Sequence, residues 1–323
     1  MVSVVIGGSG FLGKVVVARL LEQGDTVINV DQRDGETGAH EFLKADIRKP
    51  SDALKAVLLR ADNVIHLAAH QFNKDIPKWK ENEYFFSTNV GGTEEVLKII
   101  STSIQLKHFL FVSTDMTYGI PERSPLDEQH PTNPLGYYGK SKREAEKKIE
   151  QYLSGKVNWT IFRPRLILGP GRLGVMIKLF KLIQAGKPVP IIGAGNTRYQ
   201  MVSVFDCANA ILCAIEKGQS GYFNLGSDNP PKVKELLQGL IDSAGSSSKL
   251  FHLPQKLTIF GLDTLFLFRL SPLFPEQYKI ASIDYLLNTG KAKSLLGWKP
   301  QYTDQKMISD AYEYYLDLKK STK

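Results

Sequence analysis

Five short, near-continuous apolar runs punctuate the first half of the chain: "VSVVIGG" (2–8), "TVINVD" (26–31), "NVIHLAA" (63–69), "HFLFVST" (108–114) and "NWTIFRP" (158–164). Each has the length of a strand and is rich in β-branched or aromatic side chains. Apolar residues without polar alternation suit strands covered on both faces. Amphipathic stretches such as "FLGKVVVARLLEQG" and "NVGGTEEVLKIISTS" lie between them. Strands alternating with helices predict an α/β fold with a doubly wound parallel sheet. Past "LGPG" (168–171) the pattern loosens to a helix, a short strand, "QMVSVFDCANAILCAIEKG" and "GYFNLGS". The last third, with prolines at 230, 231, 254, 272, 275 and 300, reads as a smaller α-rich lobe. The expected division is a nucleotide-binding domain over 1–168, to which 199–226 returns, and a substrate lobe from 169–198 and 227–323. The apolar stretch "LTIFGLDTLFLFRL" (257–270) is too short to span a bilayer. A core helix of the lobe is the expectation there; the alternatives are a wall of an apolar substrate pocket or a membrane-surface contact.

Composition narrows the class. The chain has 323 residues, 42% of them hydrophobic and 23% charged, as in an ordinary globular protein with ample core. Its net charge of +8 suits an anionic substrate, or is simply an excess spread over a large surface. No dense Lys/Arg block with interleaved aromatics points to nucleic acid. Cys207 and Cys213 sit in an apolar helical pattern and read as core residues, not as a disulfide. The histidines lack metal-ligand spacing. Met1 leads straight into a strand with no signal-peptide pattern, and no apolar run reaches membrane length, so a cytoplasmic protein is expected.

The candidate chemistry begins at "GGSGFLG" (7–13), between the first strand and the first helix. Gly7, Gly10 and Gly13 allow a tight turn and let backbone N–H groups approach a pyrophosphate at the positive helix end. Asp31, ending the second strand, is placed to accept hydrogen bonds from both adenosine ribose hydroxyls and to repel a 2′-phosphate. NAD is therefore favoured over NADP, although Arg33 is a cation within reach of such a phosphate. Further on, "YYGKSK" (137–142) opens a helix in which residues four apart share a face. Tyr138 thus stacks with Lys142, and Tyr137 with Ser141.

With these elements in order, the chain resembles the extended short-chain dehydrogenase/reductases, and especially the NAD-dependent epimerase/dehydratase group. The ordered markers are "GGSGFLG", "VDQRD", "ADIRKP", "VIHLAA", "STNVGGT", "VSTDMTYG", "YYGKSK", "RPRLILGPG", "VSVFDCANAI", "YFNLGS" and "LGWKP". The resemblance implies a Rossmann-type domain whose cofactor site includes Gly7, Gly10, Phe11, Leu12, Gly13, Asp31, Arg33 and Pro164. Asp46 and Ile47 would flank the adenine, Leu67, Ala68 and Ala69 would line the path to the nicotinamide ribose, and Asn89 would tie a helix to the central strands. Thr114, Tyr138 and Lys142 match the Ser/Thr-Tyr-Lys catalytic set. An unperturbed tyrosine has a pKa of about 10 and is a poor base at neutral pH. A nearby ammonium and a positive nicotinamide ring favour its phenolate, and Tyr138 then takes a substrate hydroxyl proton while hydride leaves for NAD.

The resemblance also places His70, Gln71, Asp115, Met116, Arg165 and Arg198 towards the substrate. Related dehydratases carry an Asp-Glu pair where this chain has Asp115 and Met116, so elimination is disfavoured and 4-epimerisation of a nucleotide sugar through a transient ketone leads. Leu166 stands where nucleotide-sugar enzymes often have Asn, and Tyr199 where they often have Arg. These departures keep a hydroxysteroid-like or other lipid-alcohol dehydrogenase as the second reading. Family members commonly pair through the Y-x-x-x-K helix and the one before it, which implies a homodimer.

Overall fold

The computed structural model describes residues 1–72, 76–77, 79–174, 176–268, 270–271, 274–280 and 283–321. Parts of two stretches singled out in the sequence, 73–75 and residue 269, lie outside that set. The strands of the main sheet are β1 (Val2–Ile6), β2 (Thr26–Asp31), β3 (Glu41–Lys44), β4 (Asn63–His66), β5 (His108–Val112), β6 (Asn158–Pro164) and, after three shorter strands, β10 (Gly221–Leu225). All pair in parallel, in the order β10-β6-β5-β4-β1-β2-β3. Helices α1 (Phe11–Glu22) and α7 (Val204–Lys217) cover one face; α2 (Asp52–Leu59), α4 (Thr93–Ile100) and α5 (Tyr137–Leu153) cover the other. The two cores so formed explain why the central strands are apolar at most positions. Edge strand β3, "EFLK", is largely exposed and carries no apolar run, so the hydrophobic pattern gives no sign of it.

The order reverses beside β1, and the site lies at the carboxyl ends of these strands. One element departs from regular helix. After α3 (Glu81–Phe86), residues Ser87–Gly92 form a π-helical turn that runs into α4. Such widened turns recur at functional positions, and this one carries Asn89.

The remaining strands form two small parallel ladders, β7 (Leu166–Leu168) with β9 (Met201–Ser203), and β8 (Val189–Ile192) with β11 (Leu250–Leu253). Around them α6 (Met176–Gln184), α8 (Val233–Ser243) and α12 (Asp304–Ser321) bury Phe180, Leu240, Ile308 and Tyr312 in a separate core. Between β11 and α12 come α9 (Gln255–Leu267), α10 (Pro275–Tyr278) and α11 (Gly290–Leu296). The chain then returns to the nucleotide-binding half: Ala292, Leu296 and Trp298 join the core formed by α1 and α7. Trp298 Nε1 donates to the Asp206 carbonyl (2.9 Å), and the Asp206 carboxylate accepts the N–H groups of Gln301 (3.0 Å) and Tyr302 (3.2 Å).

Helix α9 corrects the expectation of a core helix. None of its residues is buried. Among the described residues its main packing neighbour is the short α10 segment, and Leu257, Phe260, Leu265, Phe266 and Leu267 are exposed.

Candidate active site

The loop joining β1 to α1 is closed so tightly that only glycine fits. Gly7 has a φ of +88°, and a Cβ there would lie 2.7 Å from the Ala68 nitrogen. At Gly13 a Cβ would lie 2.2 Å from the Gly7 carbonyl. The Gly10 N–H donates to that same carbonyl (3.0 Å), and Gly10 caps α1 without a side chain. The result is a cradle of bare backbone at a helix N-terminus, the form that receives a pyrophosphate. Phe11 leans towards the glycine turn at 169–171, and Leu12 is in the core.

Asp31 braces the loop from β2. Its Oδ2 accepts the Ser9 N–H (3.1 Å) and its Oδ1 the Arg33 N–H (3.0 Å). The Arg33 side chain is exposed and its Nε is 4.0 Å from Asp31. Asp46, after β3, is clasped by Arg48 (2.6 to 3.0 Å), which holds its carboxyl below the usual range. Ile47 is buried against Gly92, where a Cβ would lie 2.7 Å from Ile47 Cγ1. Leu67 and Ala68 both donate backbone N–H to the Ile6 carbonyl (2.8 and 3.0 Å), leading Ala69 and His70 across the sheet end. Pro164 ends β6, paired with Leu225.

Asn89 joins this loop to the catalytic helix. Its Oδ1 accepts the His70 N–H (2.8 Å), and its Nδ2 donates to the His70 carbonyl and to Ser141 Oγ, both at 3.0 Å. The helix offers Tyr138 and Lys142 from one face, and both are buried. Phe72 and Phe85 pack on the Tyr138 ring at 5.2 and 5.7 Å. Lys142 Nζ stands 3.9 Å from the centre of the Phe111 ring. Thr114, beyond β5, accepts the Met116 N–H (3.3 Å) and donates to Asp115 Oδ1 (3.2 Å).

The electrostatics differ from the sequence expectation in one respect. Burial pushes the Tyr138 phenol up, and the charges of Asp115 and Glu276 add to that; the opposing cation is Arg172, not Lys142. Burial likewise lowers Lys142 to about 7, with Glu146 working the other way. A low-dielectric pocket disfavours both charged forms, so the protein alone holds a neutral phenol beside an amine near half-protonation.

On the substrate side, Asp115 is paired with the Arg165 guanidinium in a buried contact, and the Tyr285 hydroxyl donates to the Asp115 carbonyl (2.7 Å). The rings of Tyr285 and Tyr199 flank Arg165 at 4.5 and 5.4 Å. Arg165 is thus built into the wall. Arg198 is turned aside, its N–H donating to Asp284 (2.6 Å) and its guanidinium to the Pro230 carbonyl (2.9 Å). His70 is a brace: its ring stacks on Tyr84 at 4.2 Å, and its nitrogens meet the Tyr84 carbonyl (2.6 Å) and Thr88 Oγ1 (3.3 Å). Gln71 is half-buried next to Phe72. Met116 lines a small cavity with Asp115, Leu135, Glu276 and Tyr285.

Glu276 and Phe72 escaped the sequence reading. Glu276 comes from the four-residue helix α10, too short for any periodic signal, and its carboxyl lies over Gly136 at the start of α5. It accepts the Gly139 N–H, burial raises it to about 7, and its Oε1 is buried without a hydrogen-bond partner. Phe72 directly follows the two loop residues that the resemblance singled out; its aromatic character was the available clue. Among the described residues no three His, Cys, Asp or Glu are placed to hold a metal, and no helix is long and apolar enough to cross a membrane.

A parallel sheet with a glycine cradle at its switch point, an acidic brace on the second strand and a Thr-Tyr-Lys group at the strand ends defines a Rossmann-type dinucleotide enzyme. Residues 3–226 match the NAD dependent epimerase/dehydratase family, and the chain belongs to it. Similar proteins include the uncharacterized protein y4nG of Sinorhizobium fredii, 30% identical over 97% of this chain and 78% of its own. A UDP-glucose 4-epimerase of Halalkalibacterium halodurans is 29% identical over 98% of this chain and 96% of its own. An N-acetyl-α-D-glucosaminyl-diphospho-ditrans,octacis-undecaprenol 4-epimerase of Escherichia coli O157:H7 is 27% identical over 86% of this chain and 82% of its own. Among solved structures, the UDP-glucose 4-epimerase of Thermotoga maritima superposes with a TM-score of 0.76 at 25% identity, over 98% of this chain and 99% of that one.

Proposed function

We propose that the chain is an NAD-dependent 4-epimerase of a sugar carried on a diphosphate, a nucleotide sugar in the first instance. The observation that carries the reading is the coupling of a buried Tyr138, with Thr114 and Lys142 around it, to an Asp115 committed to Arg165. The first group suits removal of a hydroxyl proton. The second leaves no Asp-Glu pair free for eliminating water, since Met116 stands in the second place. The names of the Halalkalibacterium and Thermotoga relatives point to the same activity.

NAD, when bound, supplies the hydride acceptor. The glycine cradle would hold its pyrophosphate and Asp31 its adenosine ribose. As a phenolate, which the positive nicotinamide ring of bound NAD would favour against the burial that keeps the free phenol neutral, Tyr138 would accept the proton of the 4-hydroxyl and later return it, while Thr114 holds the same oxygen through its hydroxyl. The aromatic walls Phe72 and Phe85 keep water from the phenol. The ketone turns over in the pocket before reduction on its other face, so no net oxidation results. A cytoplasmic homodimer paired through α4 and α5 belongs to the same reading, supported by the family resemblance and checked by light scattering.

The test is to incubate the protein with NAD and UDP-glucose, UDP-N-acetylglucosamine or UDP-glucuronic acid and separate the 4-epimers by chromatography. Interconversion that disappears in Tyr138→Phe, with NAD binding retained, is expected. Full turnover by Tyr138→Phe would overturn the mechanism, and absence of interconversion by the NAD-loaded wild type would overturn the substrate class.

A further inference from the structure

Helix α9 is an apolar surface with no residue buried. Leu257, Phe260 and Leu267 are 71%, 73% and 77% exposed, and Phe268 and Leu270 beyond the helix end are 68% and 67% exposed. At 100° per residue, Leu257, Phe260, Leu267 and Phe268 fall on one side of the helix. Asp263 stands at the edge of that side, its carboxylate accepting from the Tyr278 hydroxyl (2.6 Å) and paired with Lys279 (3.4 Å). Monomeric proteins rarely leave so many large apolar side chains together in water.

Two features say what covers it. The first is charge. Among the described residues of 249–271 there are two basic side chains, Lys249 and Lys256, against one acidic, Asp263, which Lys279 already pairs. A second copy of a chain with net charge +8 brings the same sign to this face, whereas an anionic lipid surface brings the opposite one. The second is continuity with the catalytic cleft. From Tyr138 an unbroken file of rings runs through Phe72 (5.2 Å) and Phe274 (4.7 Å) to Phe266 on α9 (6.5 Å). The file meets α9 on its protein-facing side, so the helix closes the outer end of the site's aromatic wall and carries the exposed patch on its other side.

We propose that α9 docks the enzyme on an anionic bilayer surface, lying flat with Leu257, Phe260, Leu267 and Phe268 among the acyl chains. A helix of this length covers roughly 20 Å in the membrane plane and sinks about 5–10 Å without crossing. The cleft then opens beside the lipid headgroups, within reach of a substrate anchored in the bilayer. The docking surface stands apart from the epimerase reading, because lipid binding requires no turnover.

Flotation of the full-length protein with vesicles of phosphatidylglycerol and phosphatidylethanolamine, against phosphatidylcholine alone, tests this. Wild type should float with the anionic vesicles, less so at high salt. The variant Leu257→Ser/Phe260→Ser/Leu267→Ser/Phe268→Ser should bind at least about tenfold more weakly, as each lost apolar group reduces partitioning, with NAD binding and melting temperature unchanged. Wild type left at the bottom of the gradient, or a variant that floats equally well, overturns the proposal. So does a wild-type oligomer that the variant loses, since a second copy then occupies the patch. Phe260→Trp keeps the surface apolar and gives a second readout: its added emission should shift to the blue with anionic vesicles, and an unchanged spectrum counts against docking.

Discussion

Tyr138 meets its surroundings as a neutral phenol, and the residues that decide when it ionises come from three places in the chain. Arg172 favours the phenolate, while Asp115 and Glu276 oppose it. Replacing Arg172 with Gln should move the rising limb of the kcat/KM profile upward by about one pH unit or less, with Arg172→Lys restoring it; an unmoved limb would assign Arg172 to the surface. Glu276 has its own pH signature. Its carboxyl is raised from 4.5 to about 7 in the folded protein, so the folded state binds more protons in that window. Stability from this group is therefore present below about pH 4.5 and declines as pH rises towards 7. Glu276→Gln keeps an acceptor for the Gly139 N–H and cannot ionise. Its stability relative to wild type should grow between pH 4.5 and 7 by up to about 3 kcal/mol, measured by urea unfolding at both ends. The Tyr138–Lys142 pairing was legible because a four-residue spacing fixes a helix face. Glu276 was not, because its position depends on how a distant short helix packs.

Among the elements, the glycine loop is the part most strictly dictated by its residues. A Cβ at Gly13 would strike two backbone groups, the Gly7 carbonyl and the Gly8 Cα at 2.6 Å, neither of which is free to swing aside. Gly13→Ala should thus cost about 1–3 kcal/mol of stability and weaken NAD binding, read by calorimetry; wild-type affinity would mean that the loop can re-form. The buried strands could be read directly from their apolar runs. Strand β3 could not, being an exposed edge held by pairing with β2. The π-helical turn also lay beyond sequence pattern, since a single extra residue per turn leaves no distinct periodicity. Helix α9 misled for the opposite reason: its composition is that of a core, and composition cannot say whether anything packs against it.

At the scale of the molecule, the chain crosses repeatedly between its two halves. Strand β10 extends the sheet after an excursion through α6 and β8, and Trp298 returns to the first core from near the chain's end. The alternation of strands and helices made five strands of the parallel sheet legible, β1, β2, β4, β5 and β6, but not their order. The return of residues 290–302 onto α7 rests instead on the three hydrogen bonds at Asp206. Trp298→Ala should lower stability by about 3–5 kcal/mol and loosen the α1–α7 face, seen as faster amide exchange in α7; a loss confined to the tail would contradict that linkage.

This threading also governs the order in which the protein can be completed as it is made. While residues up to 220 have emerged from the ribosome, β6 remains an open strand edge, because its partner β10 has not yet appeared. Even with the sheet finished, α7 lacks the indole that seals it until residue 298 follows. The nascent chain therefore spends most of its synthesis with an unsealed core, a period in which chaperone protection matters more than it does for the finished fold.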